Sequence, residues 1–346
     1  MRDLATRAKL RARPVGVLAA LMVLSAPAAV AQPSGEFYAG KTVRMIIGLG
    51  TGGGYDLWAR TIARHIGRHL PGNPNVVAQN LEGAGSYRAA NYFQSVAPRD
   101  GTVIGLIARD AALGPITGAA GAQFDPPKLS WLGTPTTETN ICMAYKTAAV
   151  KTAQDLLEKP LIMGDNGPGT GTGAYPKALN ALLGFKFKVV AGYASSADVS
   201  LAMERGEVEG YCESLDSVIA KRPDWIPKKI VNVLIQGGAH PHPDLPGVPF
   251  VLDLAKNDAD RKAIEFLYAG QGIGRPFLAP PELPPERLKV LRAAFDATMR
   301  DPEFVAEVKL KKLNLEPENG EYLEQLINKI YATPKPIVER IGSLIK

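Results

Sequence analysis

Two cysteines and four histidines in 346 residues leave little material for metal or nucleophilic chemistry. Cys142 and Cys212 cannot make a disulfide framework; they are either oxidised to one another or two small buried residues. His65 and His69 lie four apart on a helix-period segment, but no H-E-x-x-H surrounds them. They share their turns with Arg60, Arg64 and Arg68, so the expectation is a solvated basic face rather than zinc. His240 and His242 sit in a proline-rich loop without cysteines or a carboxylate cluster nearby, and no metal is assigned there either. There is no G-x-S-x-G elbow, and no Cys–His pairing is legible. No catalytic residue and no cofactor follow from the sequence, and the reading is of a binding protein rather than an enzyme. Low-complexity segments and short-period repeats are missing too.

Charge of one sign is abundant only at the start. Arg2, Arg7, Lys9, Arg11 and Arg13 precede the apolar run Val15 to Leu24 and then Ala29-Val30-Ala31. A basic region, a short apolar core and an A-x-A end make a secretory signal peptide over residues 1–31, cleaved after Ala31. The apolar core is too short to span a bilayer. The leader holds five of the 40 Lys+Arg and one of the 34 Asp+Glu, so the formal +6 falls to +2 in the mature chain. A nucleic-acid partner is therefore not implied. About 315 residues remain, more than one core usually organises, and two domains are expected.

Apolar runs of strand length alternate with helix-period segments along that chain. TVRMIIGL leads into DLWARTIARHIGRHL, where Trp58, Ile62, Ile66 and Leu70 recur at helical spacing. NVVAQN, GTVIGLIA, NICMAY, PLIMGDN, FKVVAGY, VEGYCESL and IVNVLIQG read as further strands. The stretch Ala239 to Leu254 is proline-rich and reads as a connection, and the tail is helical with a break at Asp301-Pro302. The pattern is α/β with mostly parallel sheets, in two similar lobes with a cleft between them.

The stretch Gly35 to Arg60 satisfies two nucleotide motifs at once. Gly35 to Thr42 has P-loop spacing, but it precedes its strand, whereas a working loop follows one and opens a helix. Gly48, Gly50 and Gly53 read G-x-G-x-x-G between a strand and a helix. The acid that would hold a ribose at the end of the second strand is not there; Gln79-Asn80 stand in its place. What survives is the physics common to such loops: glycines let backbone N–H groups converge on an anion, and the following helix adds its positive end.

Here a resemblance becomes specific. FYAGKTVRMIIGLGTGGGYDLWARTIARHI resembles the start of the periplasmic receptors of tripartite tricarboxylate transporters, the Bug family, through Lys41, Val43, Arg44, Gly52, Gly53 and Asp56. Gly48 and Thr51 stand where that family usually has prolines, and Tyr55 replaces a small polar residue. VVAQNLEGAG, APRDGTVIG, DNGPGTGT, AGYASSADVSLAMERGEVEG and LPGVP are similar to further family segments, in order along nearly all of the mature chain. The resemblance implies a type II periplasmic-binding-protein fold, two α/β lobes around a hinged ligand cleft. Lobe 1 would comprise residues 36–137 and 245–346, and lobe 2 residues 138–244. It also implies a monomeric periplasmic receptor that captures a small organic carboxylate and hands it to membrane transporter subunits. Position by position, the implied ligand contacts are Thr51, Gly52 and Gly53 in the first lobe and Gly169, Thr170, Gly171 and Thr172 in the second. Gly85 and Ser86 follow in second rank.

Three more candidates come from placement. Arg109 follows the third strand, where an α/β lobe presents its ligand-facing ends, and can clamp a carboxylate or pair with Asp110. Glu213 ends VEGYCES where the family has an acid or polar residue, and Tyr193 follows a strand as a cleft-lining or packing aromatic. Two rival functions share the scaffold: a ligand-sensing subunit of a signalling system, and a secreted small-molecule enzyme.

Overall fold

The computed structural model describes residues 37–167, 170–238 and 240–345. The leader, its cleavage site and Gly35 lie outside the described residues, and so do Pro168 and Gly169. Among the described residues no helix is long and apolar enough to cross a membrane.

Among the described residues eleven strands form two sheets. They are β1 (Thr42–Ile47), β2 (Asn75–Asn80), β3 (Val103–Leu106), β4 (Ser130–Thr134), β5 (Asn140–Tyr145) and β6 (Leu161–Asp165), followed by β7 (Phe187–Ala191), β8 (Gly210–Ser214), β9 (Val231–Gly237), β10 (Phe277–Ala279) and β11 (Glu318–Asn319). The first sheet runs β11-β4-β10-β3-β1-β2 and the second β7-β6-β8-β5-β9. Apart from the short β11, each sheet has the same plan: second, first and third strands of a lobe, then one antiparallel strand, then a fourth. The antiparallel members, β10 and β5, make these sheets mixed rather than mostly parallel. β10 is three residues long, too short for a period to show.

Local sequence explains the parallel half. β1 pairs in parallel with β2 on one side and β3 on the other, so both its edges are satisfied, and Val43, Met45, Ile46 and Ile47 are buried in the core. β2 closes the sheet edge, and its exposure alternates along NVVAQN. In β5, Cys142 and Ala144 belong to the main core while Ile141 and Met143 face a second cluster with Val199 and Tyr211. Cys142 lies opposite Cys212 of β8, and the two form a disulfide.

The helices are α1 (Gly54–Ile66), α2 (Tyr87–Ser95), α3 (Asp155–Glu158), α4 (Gly171–Leu183), α5 (Ser196–Arg205) and α6 (Leu215–Lys221), then α7 (Asp258–Tyr268), α8 (Pro285–Arg300), α9 (Pro302–Leu310), α10 (Gly320–Tyr331) and α11 (Lys335–Leu344). α1 buries Trp58, Ile62 and Ile66, as its period requires. Its basic face is solvated at Arg64 and Arg68 but not at His65, which is buried. His65 Nε2 lies 2.6 Å from Glu307, and both Arg68 and His69 reach Asp301, the N-cap of α9. The acids that cover this face are more than 230 residues away in sequence, which is why the face reads as free.

Candidate functional site

Three helices begin at one cavity of about 440 Å³, counting its open mouth. α1 enters through Gly53 and Gly54, α4 through Thr170 and Gly171, and α5 through Ser195 and Ser196. The first turn of a helix carries N–H groups with no partner inside the helix, and the aligned peptide dipoles add partial positive charge there. Neither N-cap residue, Gly53 of α1 nor Thr170 of α4, caps its helix with its own side chain.

The glycine loop before α1 is held at four points, and these account for several of the family-like residues. Asp56 accepts from Gly52 N at 3.0 Å, and Asn80 donates to Leu49 O at 2.8 Å. Arg60 joins Asp56 to Asn80 from behind. Ser86 donates to Gly48 O and accepts from Ala108 N, tying the loop to the end of β3. Gly50 N reaches across to Ala194 O at 3.2 Å, so the loop touches the segment that starts α5.

Gly54 is closely enclosed by side chains. An added Cβ would lie 2.1 Å from Ser217 Oγ and 3.0 Å from Arg275 Nη2. Arg275 is 1% exposed; it pairs with Glu138, donates to Ser217 and lies over the Tyr55 ring at 4.2 Å. Glu138 also faces Arg109, whose Nη1 is 3.4 Å from its Oε2. A chain of buried charges therefore runs behind the cavity wall.

Arg109 lines the cavity, with Asp110 Oδ2 at 3.8 Å from its Nε, which has no hydrogen-bond partner among the described residues. Burial alone would lower its pKa, but Tyr55, Glu138 and Asp110 outweigh that and hold the guanidinium charged. Asp110 accepts from Gly171 N at 3.1 Å and from Tyr175 OH at 2.6 Å, so a carboxylate of the chain itself sits at the start of α4. Burial raises the Asp110 pKa, and Arg109 and these donors offset only part of the rise. Glu213 is also buried, which works against its charge. Lys221, Arg275 and the Ser214 N–H prevail and lower its pKa below the usual value.

Of the residues singled out from sequence, Gly53, Arg109, Thr170, Gly171, Thr172 and Glu213 line this cavity together. Thr170 and Thr172 turn their hydroxyls inward, onto Asp165 and Asn166. Thr51 and Gly52 are exposed on the loop and do not line it. Ser86 is engaged in the loop tie just described, and Gly85 approaches Gly167 outside the cavity. Tyr193 packs against the second core cluster. Gly169 lies outside the described residues.

Sequence reasoning missed Asn140, Asn166, Ser195 and Ser196 as lining residues, and gave Asp110 only as a partner for Arg109. One signal was available: Ser195 and Asp198 have the spacing of a helix cap, and Ser195 Oγ accepts from Asp198 N. Asn140 opens a buried strand and carries no local mark.

No protein-family model matches the chain, and no curated protein sequence matches it. Solved structures do. The periplasmic binding protein BugD matches with a TM-score of 0.71 at 18% identity, over 88% of this chain and 99% of its own. An R. palustris protein solved with adipate gives 0.68 at 16%, over 88% and 98%. MatC from Rhodopseudomonas palustris, with bound malate, gives 0.67 at 18%, over 86% and 99%. The fold is therefore that of the periplasmic binding proteins, two α/β lobes each built on one mixed sheet.

Proposed function

We propose that this protein is an exported solute receptor of the Bug type. It captures a small organic carboxylate in the periplasm and delivers it to the membrane subunits of a tripartite tricarboxylate-type transporter. Its work is capture and hinge closure without bond chemistry. In this reading residues 36–137 and 245–346 make lobe 1, residues 138–244 make lobe 2, and the leader is removed after Ala31.

The observation that carries it is the meeting of three helix N-termini and Arg109 at one cavity. That set suits an anion: backbone donors and one guanidinium. The adipate and malate named with two of the similar structures agree in chemical class. The proposed ligand contacts are Gly53, Arg109, Thr170, Gly171, Thr172 and Glu213.

A thermal-shift screen of mono-, di- and tricarboxylates tests the reading. A ligand at a hundred times its Kd stabilises the folded state by about 2.7 kcal/mol. At least one carboxylate should raise Tm, while ATP and NAD at millimolar concentration should not. No shift with any carboxylate, or a saturable shift with either nucleotide, contradicts the proposal.

A further inference from the structure

We infer that the ligand carries a single carboxylate together with a hydrogen-bond donor, an amine or a hydroxyl, and that di- and tricarboxylates are disfavoured. This rests on the reading of the cavity as a carboxylate site.

The cavity is poor in net positive charge. Among the described residues its lining side chains include one cation, Arg109, and two carboxylates, Asp110 and Glu213. Immediately behind them, Glu138 faces Arg109 and Arg275, Lys221 faces Glu213, and Asp165 accepts from Thr170 and Thr172. That makes four carboxylates against three cations, nearly all buried. One ligand carboxylate can be met by Arg109 and a helix N-terminus. A second has no cation left to meet it and would face Glu213 or Asp110 across a medium that screens weakly.

The same wall asks for a donor. Glu213 Oε1 accepts from the Ser214 N–H at 2.8 Å, while its Oε2 has Lys221 Nζ only at 3.4 Å and keeps acceptor capacity toward the cavity. Asn140, 2% exposed and also lining the cavity, has no hydrogen-bond partner for its Oδ1 among the described residues. Arg109 Nε, a donor in the same wall, is likewise without a hydrogen-bond partner among the described residues. A ligand bringing one acceptor group and one donor group answers both; a plain dicarboxylate brings acceptors only.

A matched panel tests this by calorimetry at neutral pH: alanine, lactate and propionate, which share a three-carbon skeleton, with succinate and citrate beside them. Alanine or lactate should bind at least tenfold more tightly than propionate, succinate and citrate, and the stronger of the two identifies the donor as amine or hydroxyl. Propionate, succinate or citrate equalling or exceeding both would overturn the inference and leave the carboxylate receptor standing. No binding by any of the five would overturn the inference and count against that reading as well. Glu213→Gln adds a second readout. The ratio of donor-bearing probe to succinate should fall at least tenfold, with an unchanged circular dichroism spectrum; an unchanged ratio removes Glu213 from the account. If that variant does not fold, the wild-type panel alone decides.

Discussion

Gly53 and Gly54 are adjacent, yet their neighbours predict opposite tolerance. Gly53 has φ −78°, open to any residue, and an added Cβ would meet nothing closer than Ser196 Oγ at 3.5 Å. Gly53→Ala should fold and keep its affinity, whereas Gly53→Asp sets a negative charge at the start of α1 and in the anion's path. Losing one charge-assisted hydrogen bond there costs about 1.5–3 kcal/mol, roughly ten- to a hundredfold in affinity. Gly54→Ala should lose both stability and binding, because its methyl collides with Ser217 and Arg275. Titration and melting of the three variants check this; equal behaviour of Gly53→Ala and Gly53→Asp would refute the electrostatic part. Asp216 offers a pH handle. Burial, with Glu138 adding to it, raises its pKa to about 7. A carboxyl whose folded pKa is raised holds its proton better folded than unfolded, so its contribution is present at low pH and is lost as pH rises through about 7. The Tm of Asp216→Asn relative to wild type should therefore increase from pH 5 to pH 8. A constant difference over that range would show that Asp216 titrates normally.

At the scale of elements, two connections hold the cavity wall. The Cys142–Cys212 disulfide crosslinks β5 to β8 over a separation of 70 residues, for which loop entropy gives at most about 4 kcal/mol. Cys142→Ala with Cys212→Ala should lower the unfolding free energy by about 2–4 kcal/mol in denaturant titrations, and reductant should then have no further effect on the variant. Glu138 neutralises Arg109 and Arg275 together, so Glu138→Gln leaves two buried guanidiniums short of a partner and should cost about 3–5 kcal/mol. A cost below about 1 kcal/mol would mean that water or a rearranged side chain meets those charges. These elements also mark how far sequence could reach. β1, α1 and the strand–helix order were legible because their apolar period is local and strong. The tie of Asp56 and Asn80 to the glycine loop was visible as a pattern, though not as hydrogen bonds. β4, β10 and the Glu138–Arg275 pair were not legible: the strands are three to five residues long, and the pair spans 137 positions. Cys142 and Cys212 stayed ambiguous until the register of β5 on β8 placed them side by side.

For the whole molecule, the shared plan of the two sheets matters more than any single residue. Leaving aside the short β11, each sheet takes one antiparallel strand, β10 or β5, beside the third strand of its series, and the loops leading into α1, α4 and α5 meet at one cavity. A second, more open groove, lined by Asp216, His242, Lys309 and Glu316, is larger but receives no helix N-terminus from this set. The two places are distinguishable in a ligand complex. The most direct measurement is a crystal structure with the tightest carboxylate from the screen. The account predicts the ligand in the cavity bounded by Gly53, Arg109, Thr170 and Ser196, its carboxylate accepting from Arg109 or from backbone N–H groups that open α1 or α4. A ligand seated instead in the groove at Asp216 and His242, with the first cavity empty of it, would contradict the account.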